Sequence, residues 1–195
     1  MKPNKKLVLL LLMAGVLTTA NAQIQFGLKA GANLANVNGS GVTGNKTLVN
    51  FNGGALVRIK LAAGFSLQPE VVYSGQGAKT TNSSDGSTET VHQNYVNVPV
   101  MLQYSLPLGL FFETGPQLGF LTTAKISDNG QSADIKSSYK STDFSWALGA
   151  GFLTPVHLGF DLRYNLGLSN ISSAASGYTG SIKNGVFQVG VFYLF

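Results

Sequence analysis

Apolar side chains recur at every second position through most of the chain beyond residue 23, the period of a strand with two unlike faces. Ile24, Phe26, Leu28, Ala30, Ala32 and Leu34 interleave with Gln25, Gly27, Lys29, Gly31 and Asn33. Phe51, Ala55, Val57, Ile59 and Leu61 then alternate with Asn52, Gly54, Arg58 and Lys60. The third segment sets Phe65, Leu67, Val71 and Tyr73 against Ser66, Gln68, Glu70 and Ser74, and the fourth sets Val96 through Tyr104 against Asn97, Met101 and Gln103. The fifth carries Leu110, Phe112, Leu118 and Phe120 over Phe111, Glu113, Gly115, Gln117 and Gly119. The sixth carries Phe144, Trp146, Leu148, Ala150 and Phe152 over Ser145, Ala147, Gly149 and Gly151. The seventh runs Phe160 to Leu168 over Asp161, Arg163, Asn165, Gly167 and Ser169. The eighth runs Phe187 to Phe195 over Gln188 and Gly190, with Phe192 and Leu194 breaking the polar set. Eight segments of about 9 to 12 residues predict an all-β chain whose strands are long enough, when tilted, to cross a bilayer.

Alternation alone also suits a soluble up-and-down barrel or a sandwich, which would hide the apolar face instead of showing it. The connections separate the two. They alternate strictly between tight (62–64, 105–109, 153–157) and long, rich in Ser, Thr, Asn, Asp and Gly (36–50, 77–94, 123–143, 170–184). Short periplasmic turns and long extracellular loops are the pattern of an outer-membrane barrel. The aromatics agree: Phe26, Phe65, Tyr104, Phe112, Phe152 and Phe160 fall on the apolar face near the short turns, and Phe120, Phe144 and Trp146 near the long loops. Two such bands predict a girdle at each membrane interface.

The first 22 residues have another character. Lys2, Lys5 and Lys6 precede the apolar run 7–17, and Ala20-Asn21-Ala22 supplies an A-x-A cleavage pattern. Eleven apolar residues fall short of the roughly 20 that a spanning helix needs. The expectation is therefore a cleaved signal peptide, residues 1–22, and a barrel domain, residues 23–195, in the outer membrane of a Gram-negative envelope. Composition supports export to a membrane: charged residues are 11% of the chain, against about 25% in soluble domains. The net charge of +5 shrinks once three leader lysines are removed, which leaves no basic surface calling for nucleic acid. Cys is absent, so neither disulfides nor thiolate metal sites are available. At the other end Val191, Tyr193 and Phe195 form an alternating strand closed by an aromatic, the pattern expected of a signal read by the outer-membrane assembly machinery.

Tyr95 to Tyr104 (YVNVPVMLQY), Glu113 to Gly119 (ETGPQLG), Asp161 to Ile171 (DLRYNLGLSNI) and Gly27 to Asn33 (GLKAGAN) resemble the PorT-like outer-membrane β-barrel proteins, small barrels of the OmpA and OmpX kind. That resemblance implies fold and location. It offers a role as a secretion-system accessory only through the family's name, and the four long loops carry no feature tied to secretion.

No catalytic, cofactor or metal site is expected. The loop 39–44 spells G-x-G-x-x-G, but no helix opens there to receive a phosphate. His92 and His157 are the sole histidines and lie on connections of opposite type; His92 with Asp85 or Glu89 is the one conceivable hydrolase grouping. The charges of the strands are more informative. Lys29, Arg58, Lys60, Glu70, Glu113, Asp161 and Arg163 all fall on the polar face, four positive against three negative. An eight-stranded lumen is just wide enough for side chains to fill. These charges are thus expected to plug it as a network, with Glu113 and Arg163 meeting over the small residues of the sixth segment. The reading is an integral, non-enzymatic outer-membrane barrel that contacts lipid and meets a protein partner through its long loops. A small pore is the competing class.

Overall fold

The computed structural model describes residues 23–39, 45–81, 88–128, 131–173 and 180–195. Nine strands are present among them: β1 (Ile24–Gly39), β2 (Asn45–Lys60), β3 (Phe65–Thr81), β4 (Thr88–Ser105), β5 (Leu110–Asp128), β6 (Gln131–Asp134), β7 (Thr142–Leu153), β8 (Leu158–Gly167) and β9 (Ile182–Leu194). Eight form a closed antiparallel ring, each paired with its neighbours in sequence. β1 meets β9 from Gly27–Leu194 to Gly39–Ile182, which closes it. β6 stands outside the ring as a four-residue hairpin arm on β5. Closure leaves the ring no free edge, so each of its eight strands finds backbone partners on both sides.

The two faces sort as the alternation requires. In β1 the exposed and buried positions alternate, with Phe26 and Leu28 outside and Gln25, Lys29 and Asn33 inside. Outside, Phe26 is 62% exposed, Leu162 52% and Leu148 56%, an apolar surface that water would not tolerate over a whole protein. The aromatics Phe26, Phe65, Tyr104, Phe112, Phe152, Phe160, Phe120, Phe144 and Trp146 all point outward. Phe65 stacks on Tyr104 at 4.9 Å near the short turns, and Phe51 on Tyr73 at 5.4 Å toward the other end.

Six of the eight ring strands are longer than 9 to 12 residues, while β7 and β8, at 12 and 10, are not. β1 to β5 run 16 to 19 residues, so paired backbone continues well into the segments 36–50, 77–94 and 123–143 that read as loops. Beyond the apolar belt both faces are wet, and a strand held there by backbone pairing alone needs no alternating pattern. The tight turns are as short as expected. Their left-handed residues are Ala63 and Gly64, Leu108 and Gly109, and His157.

Candidate functional site

Inside the ring the side chains stack in layers. The central one is a chain of charges drawn from β1, β3, β5 and β8. Arg163 donates through Nη1 and Nη2 to Glu70 Oε2 and Oε1 (3.0 and 2.7 Å) and through Nε to Glu113 Oε1 (2.8 Å). Lys29 Nζ donates to Asp161 Oδ2 (2.8 Å) and lies 3.9 Å from Glu70 Oε2. Gln68 Nε2 donates to Glu70 (2.9 Å) and Gln103 Nε2 to Glu113 (3.0 Å), using remaining acceptor capacity of both carboxylates. These five charged side chains are at most 2% exposed. β3 and β8 are four steps apart in either direction round the ring, so the forked Arg163–Glu70 bridge crosses the full lumen.

Two of the other bridges, Arg163–Glu113 and Lys29–Asp161, each skip one strand, and each passes over a glycine. β7 separates β5 from β8, and a Cβ on its Gly149 would come within 2.8 Å of Glu113 Oε1. β9 separates β8 from β1, and a Cβ on its Gly190 would come within 2.6 Å of Asp161 Oδ1.

Toward the long loops lies an amide layer. Asn33 donates to Ser74 Oγ (2.9 Å) and the Gly75 carbonyl (2.7 Å), while its own Oδ1 accepts from Asn52 (2.7 Å) and Gln188 (2.8 Å). Above it residues 135–140 pack back against the long-loop ends of β4 and β5. Tyr95, Leu121 and Ala124 form a buried cluster on which Ile135 and Tyr139 pack. Ile135 N–H bonds the Ala124 carbonyl, and Lys140 N–H bonds that of Ile171. Burial pushes the Tyr139 phenol above its ordinary value. Toward the short turns, Leu56, Phe111, Phe192 and Leu194 close into an apolar plug with Leu153 against it.

Of the seven charges read as one network, five lie together and two lie apart. Lys60 is exposed at the short-turn end, where its Nζ donates to Gln23 Oε1 (2.8 Å). Arg58 is buried but reaches Ser105 Oγ (3.1 Å) and lies over the Phe111 ring at 5.8 Å. The joined set therefore holds two cations and three carboxylates, not four against three. Parity puts a side chain inside but says nothing of depth, and both stragglers sit below the level where the acids gather. Phe192 and Leu194, which broke the polar alternation, were the sequence signal for the apolar plug.

Val191, Tyr193 and Phe195 all face outward, and Phe195 N–H bonds the Phe26 carbonyl at 2.8 Å. His92 stands opposite Gly77 and Lys125, Glu89 stands opposite Thr80, and Asp85 lies outside the described residues. Residues 40–44 of the glycine-rich loop also lie outside them. Among the described residues no group of three His, Cys, Asp or Glu could hold a metal.

A closed ring of eight antiparallel strands, apolar outside and polar within, defines a small outer-membrane β-barrel. The chain belongs to the family of the outer membrane protein beta-barrel domain, whose model matches residues 19–173, and its place is the outer membrane. No curated protein matches it. Among solved structures it is similar to Ail, the attachment invasion locus protein of Yersinia pestis, in complex with the heparin analogue sucrose octasulfate. Identity is 16% and the TM-score 0.53, over 89% of this chain and 99% of that one. It is also similar to Neisserial surface protein A, at 13% identity and TM-score 0.54, over 87% and 97% of the two chains. At such identities the likeness is one of fold.

Proposed function

We propose that this protein is a non-enzymatic outer-membrane barrel, closed to solute flow, that works through the surface its extracellular ends present to a protein partner. The observation that carries this reading is the lumen's filling: a buried chain of ion pairs spans the full diameter, with an apolar plug below it. The long-loop end supports the same reading, since strands extended past the belt, with Ile135 and Tyr139 packed on Tyr95, Leu121 and Ala124, make a built surface. A pore would need a continuous wet path, and a lumen layered in this way argues against one. On this reading a planar bilayer loaded with refolded protein shows no steady conductance, and large stable channels in the wild type would overturn it.

The PorT-like resemblance belongs to the same proposal, resting on the stretches 27–33, 95–104, 113–119 and 161–171. So does removal of residues 1–22, with the mature chain starting at Gln23. Orientation is tested on whole cells: added protease should cut within 82–87, between β3 and β4, and spare the turns at 62–64 and 106–109. Cutting confined to those turns would turn the barrel upside down. Assembly is tested at the last strand, where we take Val191, Tyr193 and Phe195 as the signal read by the assembly machinery. Phe195→Ser should cross the inner membrane normally and then accumulate unfolded in the periplasm. Wild-type outer-membrane levels, with normal heat-modifiable gel mobility, would remove that role.

A further inference from the structure

We propose that the periplasmic mouth of the barrel holds an oxyanion site centred on Arg58, shaped for a phosphate group that carries an acyl chain. Arg58 is 3% exposed, and of its three nitrogens only Nη2 has a hydrogen-bond partner among the described residues, Ser105 Oγ. A buried guanidinium in that condition calls for an acceptor. Glu113 is near enough to act on Arg58 through space but makes no hydrogen bond to it, its oxygens accepting from Arg163 and Gln103, while Glu70 is held by Arg163 and Asp161 by Lys29.

The side chain lines a cavity of about 690 Å³ at the short-turn end. Lys60, two residues along β2, lines it too, so a second cation stands at the same opening. The rest of the wall is largely apolar, with Leu61 and Leu153 among its residues. Phe65 and Phe152 border the cavity as well, and both belong to the outward, lipid-facing set. A hydrocarbon tail could therefore run from the cavity to the membrane-facing rim while its headgroup meets the guanidinium. A planar fork of N–H donors suits a phosphate, which accepts two parallel bonds. The same donors would take a free phosphate, and the apolar wall is what favours the lipid.

The test uses the refolded mature chain in maltoside micelles, titrated calorimetrically with dodecyl phosphate or with inorganic phosphate against protein-free micelles. The expected result is one saturable site per barrel for dodecyl phosphate, weakened about tenfold or more in Arg58→Gln. Inorganic phosphate binding as tightly, with the same dependence on Arg58, would keep the anion site and assign it to a free anion. Equal binding of dodecyl phosphate to wild type and to Arg58→Gln would overturn the proposal, as would no saturable binding of either probe. Should Arg58→Gln fail to fold, Ser105→Asp decides: it tethers a carboxylate beside the guanidinium and should abolish probe binding while raising the urea midpoint. Unchanged binding in a folded Ser105→Asp barrel would likewise sink the site.

Discussion

Arg163→Ala should be among the most damaging single changes in this barrel, with a cost of about 3–5 kcal/mol in urea titrations of protein folded into lipid vesicles. The reason lies in what it leaves behind. One guanidinium satisfies Glu70 by a forked pair and Glu113 by a third bond, all out of water. Removing it strands two buried carboxylates, of which Glu70 keeps only Lys29 at 3.9 Å as a cation. Glu113→Ala should cost less, since Arg163 retains both bonds to Glu70. The double variant should then be more stable than the two single losses predict, because its second deletion removes a carboxylate already deprived of its cation. A cycle that closes additively would mean that the two side chains do not interact in the membrane, and the plug would lose its central link. Replacing the whole set by well-packed apolar residues could be neutral or better, so the network is an argument about closure before it is one about stability.

How much of this was readable beforehand differs by layer. The ring of eight was legible because the bilayer imposes the alternation: each spanning strand must show lipid one face, and Phe26 to Leu34 or Phe144 to Phe152 could hardly read otherwise. Past the belt that constraint vanishes. Residues 77–81 and 88–94 pair residue by residue in β3 and β4 yet carry mixed polar side chains on both faces, so nothing in their pattern separates them from loop. The meeting of Glu113 with Arg163 over Gly149 followed from parity and small intervening side chains. The Lys29–Asp161 pair over Gly190 obeys the same rule on the next strand but one. Arg58 and Lys60 have the right parity and the wrong depth, and depth depends on strand stagger, which a single sequence leaves open. The packing at the long-loop end was missed for a related reason: Tyr95 and Leu121 sit within strands, but their partners Ile135 and Tyr139 come from a connection that folds back on itself.

Leu162→Arg should cost about 2–4 kcal/mol in bilayers, and its interest is the contrast with the residue beside it. Arg163 is native, buried and fully engaged; Leu162 is its neighbour on β8, 52% exposed on the lipid side between Ala150 of β7 and Val189 of β9. β8 runs only from Leu158 to Gly167, so Leu162 sits at its middle and hence near the bilayer midplane. An arginine there has no carboxylate in reach and must drag water or headgroups inward. The same side chain one position along finds two acids waiting. Asn165→Ala, on the lumen face of the same strand, makes the control. Its amide atoms have no hydrogen-bond partner among the described residues, so its loss should stay under about 1 kcal/mol. In detergent, where an arginine can reach water more easily, the Leu162→Arg penalty should shrink while the Arg163→Ala penalty persists. Equal costs for Leu162→Arg and Asn165→Ala in bilayers would mean that the lipid and lumen faces have been exchanged. The outward aromatic bands and the ion-paired interior would then need another explanation altogether.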